Sequence, residues 1–198
     1  MLGRWRSCAH ALVGDRRGVA AIEFAIIAPL LLSLYFVTME VSQGIETNKK
    51  VSRVGSMVAD LITQQQTITK SEIDAIMKIG EAILQPYNRS VGKIVITQIE
   101  VTDEATPKVR VVWSRKLVNG TASVDAPKDA PTTVPTALKV KGTFLIRVQS
   151  DLDYKPVIVW AATSKPTLGL AAAFDGIAMS ETYYLRPRMS ASIPCSDC

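Results

Sequence analysis

Three features of this sequence predict an α+β fold. The fold consists of a long N-terminal transmembrane helix that continues as an amphipathic helix. That helix packs on a soluble domain with one further helix and an antiparallel sheet. First, a long apolar run, uncharged from Phe24 to Met39, follows a basic start. Second, the apolar positions beyond it recur at three- and four-residue steps. Third, the composition shifts to Val, Ile and Thr from residue 91 onward.

The basic start is residues 1–18, where Arg4, Arg6, Arg16 and Arg17 are offset only by Asp15. The rest of the chain is almost neutral, with no basic face of the kind that nucleic-acid binding requires, so no nucleic-acid partner is expected. The single histidine, His10, also lies in this stretch. Catalytic triads, Cys-His dyads and the HExxH zinc motif therefore have no imidazole to use in the body of the protein. Neither an enzymatic activity nor a cofactor is expected.

Residues 19–39 read VAAIEFAIIAPLLLSLYFVTM. At about 1.5 Å per residue the run makes a helix of about 31 Å, enough to cross the hydrocarbon core. It is apolar on all sides, whereas a buried core helix is usually shorter and one-sided. Arg16 and Arg17 abut the run, while the first base beyond it is Lys49, so the N-terminus is expected on the cytoplasmic side. A secretory signal peptide is the alternative, but only a weak Ser42-x-Gly44 stands where small cleavage-site residues belong. The expected organisation is a leader at 1–18, a transmembrane helix at 19–43 and an extracytoplasmic domain at 44–198. Pro29 removes one backbone donor inside the span, and a local bend near residues 25–29 is expected.

Glu23 is the one charge between Val19 and Met39. A carboxylate in the bilayer costs a few kcal/mol, so it normally has a partner or a function. The bland alternative is that it lies shallow enough to reach the headgroups. Cleavage after Gly18 would give Val19 a free amine, and positions 19 and 23 share one helix face. Glu23 could then neutralise its own amine or a neighbour's within a bundle.

Residues 17–24, RGVAAIEF, resemble a type IV prepilin processing site: a basic leader, Gly before the cut and Glu fifth after it. Phe24 stands where Flp-type pilins usually carry Tyr. Residues 15–32 are similar to the opening of the TadE-like proteins (TadE, TadF and TadG), minor pilins or pseudopilins of tight-adherence pili. Residues 183–188, YYLRPR, resemble that family's ending. The resemblance implies cleavage between Gly18 and Val19 by a prepilin peptidase, with Glu23 as the assembly carboxylate. It also implies residence in the bacterial inner membrane with the C-terminal domain periplasmic. The implied partners are other pilins and pilus-assembly platform proteins. The length suits TadE or TadF better than the larger TadG.

The helix is expected to run on to Leu61 or Ile62, with Val41, Ile45, Val51, Val54 and Val58 on its packing stripe. Residues 69–72, TKSE, form a capping box that opens a second helix, and Pro86 closes it. Strands are expected at 91–101, 109–118, 138–148 and 178–186, with a hairpin connection at 103–108. Residues 119–136 carry three prolines and are expected to be an exposed loop. Residues 154–175 read either as core or as an exposed patch used against other subunits or the bilayer.

Cys195 and Cys198 form a Cys-x-x-Cys pair. In an oxidising envelope a local disulfide clasp is the natural reading, and a redox pair or an incomplete metal site are the alternatives. Arg186 and Arg188 either pair with carboxylates of their own fold, Glu181 being near in sequence, or form a clip for an acidic partner. The functional expectation is a pseudopilin or minor-pilin role in pilus assembly. An uncleaved membrane-anchored binding module and an envelope thiol oxidoreductase are its rivals.

Overall fold

The computed structural model describes residues 18–84, 90–156 and 176–198. The leader up to residue 17, Pro86, and the stretch 157–175 with Trp160 lie outside them. Helix α1 spans Val19–Thr63 and α2 spans Lys70–Leu84. Five strands follow: β1 at Gly92–Val101, β2 at Val109–Val118, β3 at Thr121–Val124, β4 at Thr143–Tyr154 and β5 at Ile177–Leu185. They form one antiparallel sheet in the order β3-β2-β1-β4-β5. Gln43–Cys198 make up a compact unit of their own, preceded by the apolar part of α1.

Within that unit, α1 buries Gly44, Thr47, Val51, Val54, Gly55, Val58, Ala59, Ile62 and Thr63, a continuous stripe at helical spacing. Val41 and Ile45 do not join it; both are more than half exposed. The stripe enters through Gly44 instead, which is buried beside the Tyr154 ring. On the sheet side, Ile94, Ile96, Trp113, Leu117, Ile146, Val148, Leu152 and Tyr154 complete the main core with α1 and α2. Val95, Ile99, Val101, Val111 and Leu145 are buried too, outside that helix-side cluster.

Each helix is also tied to the sheet by polar contacts. Ser150 Oγ in β4 donates to the Val51 carbonyl at 2.9 Å, and Ser52 and Tyr183 share a hydroxyl hydrogen bond of 2.6 Å. From β2, Arg115 reaches Asp74 of α2 with two parallel bonds of 2.7 Å. The capping box closes as expected: Thr69 N–H donates to Glu72, and Glu72 N–H donates to Thr69 Oγ1.

Two strand boundaries differ from the sequence expectation. β4 begins at Thr143 and not at residue 138, because Thr136–Leu138 form a short 3-10 turn and Gly142 reverses the chain at a φ of +67°. It also runs past Val148 to Tyr154, burying alternate residues Ser150, Leu152 and Tyr154. Tyr154, left open between core and patch, is thus a core residue.

The expected loop at 119–136 contains β3. Asn119 and Gly120 both have positive φ, 50° and 72°, the geometry of a two-residue hairpin turn. The rest of the segment returns along β2, where Thr132 N–H donates to Val109 and Asp129 N–H to Val111. Nearby, Arg110 bonds Glu100 at 2.8 Å, and that hydrogen bond and charge raise the guanidinium pKa above its ordinary value.

Candidate functional site

Gly18 is the first described residue, directly before α1, and a Cβ built on it would meet nothing within 4 Å. Val19 starts α1 and Glu23 lies on the same helix one turn later, both exposed. Four residues of helical rise separate them by about 6 Å along the axis. Ile22, Phe24, Ile26, Leu30, Leu31, Leu34 and Tyr35 are exposed around the whole circumference. Exposure on every side is what a helix solvated by lipid requires, whereas a helix packed on one side hides one face.

The span's own polar groups agree with that environment. Ser33 Oγ donates to the Leu30 carbonyl and Thr38 Oγ1 to the Leu34 carbonyl, each at 2.8 Å. Both hydroxyls are therefore satisfied within the helix, as an apolar solvent requires. By length and composition, α1 is a candidate membrane span. Glu23 is the one carboxylate between Val19 and Met39.

The cysteine pair lies in the compact unit. Cys195 and Cys198 are joined by a disulfide, with their Cα atoms 5.5 Å apart. The segment around them is anchored at several points. Ile68 N–H donates to the Pro194 carbonyl and Ser196 N–H to the Ile68 carbonyl, each at 3.1 Å. Asp197 Oδ1 accepts the Lys70 backbone N–H at 2.8 Å. Ile193 is fully buried, and its carbonyl accepts the Trp113 indole N–H at 2.9 Å.

Asp197 and Ile193 were not legible as contact residues in the sequence, since no local pattern tells where a segment without periodicity docks. Cys195 Sγ, Cys198 Sγ and an Asp197 oxygen lie within 4.8 Å of one another. A metal would need both sulfurs as thiolates, and the disulfide engages both.

Of the two arginines near the end of β5, Arg188 pairs with Asp60 of α1 at 2.6 Å rather than with Glu181, and its backbone N–H donates to Thr63. Arg186 is exposed. The structure therefore brings Gly18, Val19 and Glu23 together at one helix start. Cys195 and Cys198 come together at α2, in the separate compact unit.

No curated protein and no solved structure matches the chain. The residues 183–188, which also resembled the family, lie outside the family match. That match covers residues 18–59, from Gly18 through the apolar span into the buried stripe, and its model is that of the TadE-like proteins, to which this segment is similar.

Proposed function

We propose that this protein is a pseudopilin or minor pilin that acts in assembly of a tight-adherence pilus, and that its role is structural rather than enzymatic. The observation that carries the reading is a lone carboxylate, Glu23, one helical turn from Val19 in an otherwise apolar exposed span of a TadE-like segment. Cleavage after Gly18 by a prepilin peptidase creates a positive amine at the head of the helix. Glu23 of one subunit then neutralises that amine on itself or on a neighbour as helices enter a bundle. Opposite charges a few Å apart in a low-dielectric setting attract strongly enough to fix axial register. Gly18 supports the reading because a small residue with open surroundings suits the bond before a cut. The basic leader keeps the N-terminus cytoplasmic, and residues from about 44 onward form the periplasmic domain.

Glu23→Ala separates assembly from insertion. Removing a charge from the span favours membrane insertion by a few kcal/mol. The variant is therefore expected in the membrane fraction at wild-type level, with pilus formation or incorporation strongly reduced. Normal incorporation of Glu23→Ala would remove the basis for the pilin-like role and leave the uncleaved anchor as the better reading.

A further inference from the structure

We propose that the Cys195–Cys198 disulfide is a thiol–disulfide exchange site for a dithiol partner, and that its reduction unlatches residues 193–198 from α2 and from Trp113. This inference is independent of the pilus reading, because every group it uses lies within the compact unit. The bridge closes a four-residue ring around Ser196 and Asp197. Those two residues make contacts to the start of α2: Ser196 to Ile68, and Asp197 to the Lys70 N–H. Asp197 thus supplements the Thr69 capping box from a distant part of the chain, taking an N–H that helix geometry leaves without an internal acceptor. The same segment buries Ile193 and supplies the acceptor for the Trp113 indole. A short covalent ring therefore carries a helix-start contact and directly follows the segment that makes a core hydrogen bond.

Access is asymmetric. Cys198 is exposed and lines a shallow cleft of about 100 Å³ with Val112, Trp113, Val124, Ala126 and Lys128, while Cys195 is half-buried. The cleft has room for one side chain flanking an attacking cysteine. A partner thiolate attacks Cys198 Sγ and the Sγ–Sγ bond breaks. Cys195 leaves with the electron pair and takes a proton from water. The partner's second thiol then resolves the mixed disulfide, so the dithiol is oxidised and both cysteines end as thiols. Cys195 Sγ already lies 3.6 Å from Asp197 Oδ1, so the new thiol can donate to that carboxylate in competition with the Lys70 N–H. Losing closure of a four-residue ring increases opening of the segment about twenty-fold on the chain-entropy relation.

The test uses the full chain in detergent, oxidised or reduced with dithiothreitol, in a background where Trp5 and Trp160 are Phe. Hydrogen exchange at the Ile68, Lys70 and Ser196 amides should accelerate about ten- to thirty-fold on reduction, and iodide should quench Trp113 more strongly. Reduction should leave exchange in β1 and β4 unchanged. The Cys195→Ser/Cys198→Ser variant should behave as the reduced protein does without reductant. Asp197→Ala in the oxidised chain should speed exchange at Lys70 alone. Equal exchange at all three amides in both redox states would overturn the latch. Resistance of the folded protein's disulfide to dithiothreitol would overturn the exchange site.

Discussion

Two glycines on the same helix should respond in opposite directions to the same substitution. In a helix interior, Gly→Ala contributes about 1 kcal/mol through backbone entropy, wherever it is made. At Gly44 a new Cβ would lie 3.8 Å from the Tyr154 ring, an ordinary contact. Gly44→Ala should therefore keep the full gain. At Gly55 the Cβ would lie 2.8 and 2.9 Å from the Tyr183 ring and 3.0 Å from Ser150 Oγ.

Neither neighbour can yield freely. The Tyr183 hydroxyl is bonded to Ser52 and the Ser150 hydroxyl to the Val51 carbonyl. Overpacking costs about 1–3 kcal/mol and a lost hydrogen bond about 1 more, so Gly55→Ala should be destabilised by about 1–3 kcal/mol net. For a chain of this size that is a fall in Tm of about 2–12 °C, against a rise of about 2–4 °C for Gly44→Ala. Thermal unfolding of the full chain in detergent, followed by near-ultraviolet circular dichroism, reads both. A Gly55→Ala Tm equal to or above that of Gly44→Ala would refute the packing of α1 on β5.

Other predictions concern polar groups in the interior. The buried Gln98 amide has no hydrogen-bond partner among the described residues, so Gln98→Met should be neutral or should stabilise by about 1–2 kcal/mol; a urea midpoint lowered by more would reveal a partner. Asp74→Ala strands the mostly buried Arg115 guanidinium and should cost about 2–3 kcal/mol, whereas Asp74→Ala/Arg115→Met should recover part of it. A double-mutant cycle showing additive losses would contradict the bidentate pair.

The elements that could be read in the sequence were those with a strong period or a specific cap. The Val and Ile repeats of α1 and the Thr69–Glu72 pair placed both helices, because those signals depend on neighbours three or four residues away. β1 and β2 were legible from their β-branched runs, and the strand expected at 178–186 is β5 at Ile177–Leu185. β3 has only four residues, with no buried apolar side to announce it, although Asn119-Gly120 was a usable hairpin signal. The second half of β4 alternates Ser150, Leu152 and Tyr154 with acidic or amide residues, and its polar members obscured the period. On α1, the stripe passes through Gly44 and Thr47, which a search for large apolar residues passes over, so Val41 and Ile45 were misplaced.

At the candidate site, Gly18, Val19 and Glu23 stand together because the helix itself sets their spacing. The docking of Ile193 and Asp197 joins residues more than seventy positions apart in sequence to their partners, and nothing local encodes it. The choice of Asp60 over Glu181 for Arg188 has the same origin, since it depends on where β5 delivers the chain against α1.

The central claim is that α1 crosses the membrane with Val19 as its first residue, and intact mass measurement of the protein extracted from membranes tests it most directly. The account predicts a chain retained in the membrane after alkaline washing whose mass corresponds to residues 19–198. A protein released by the wash with residues 1–18 still attached would contradict it.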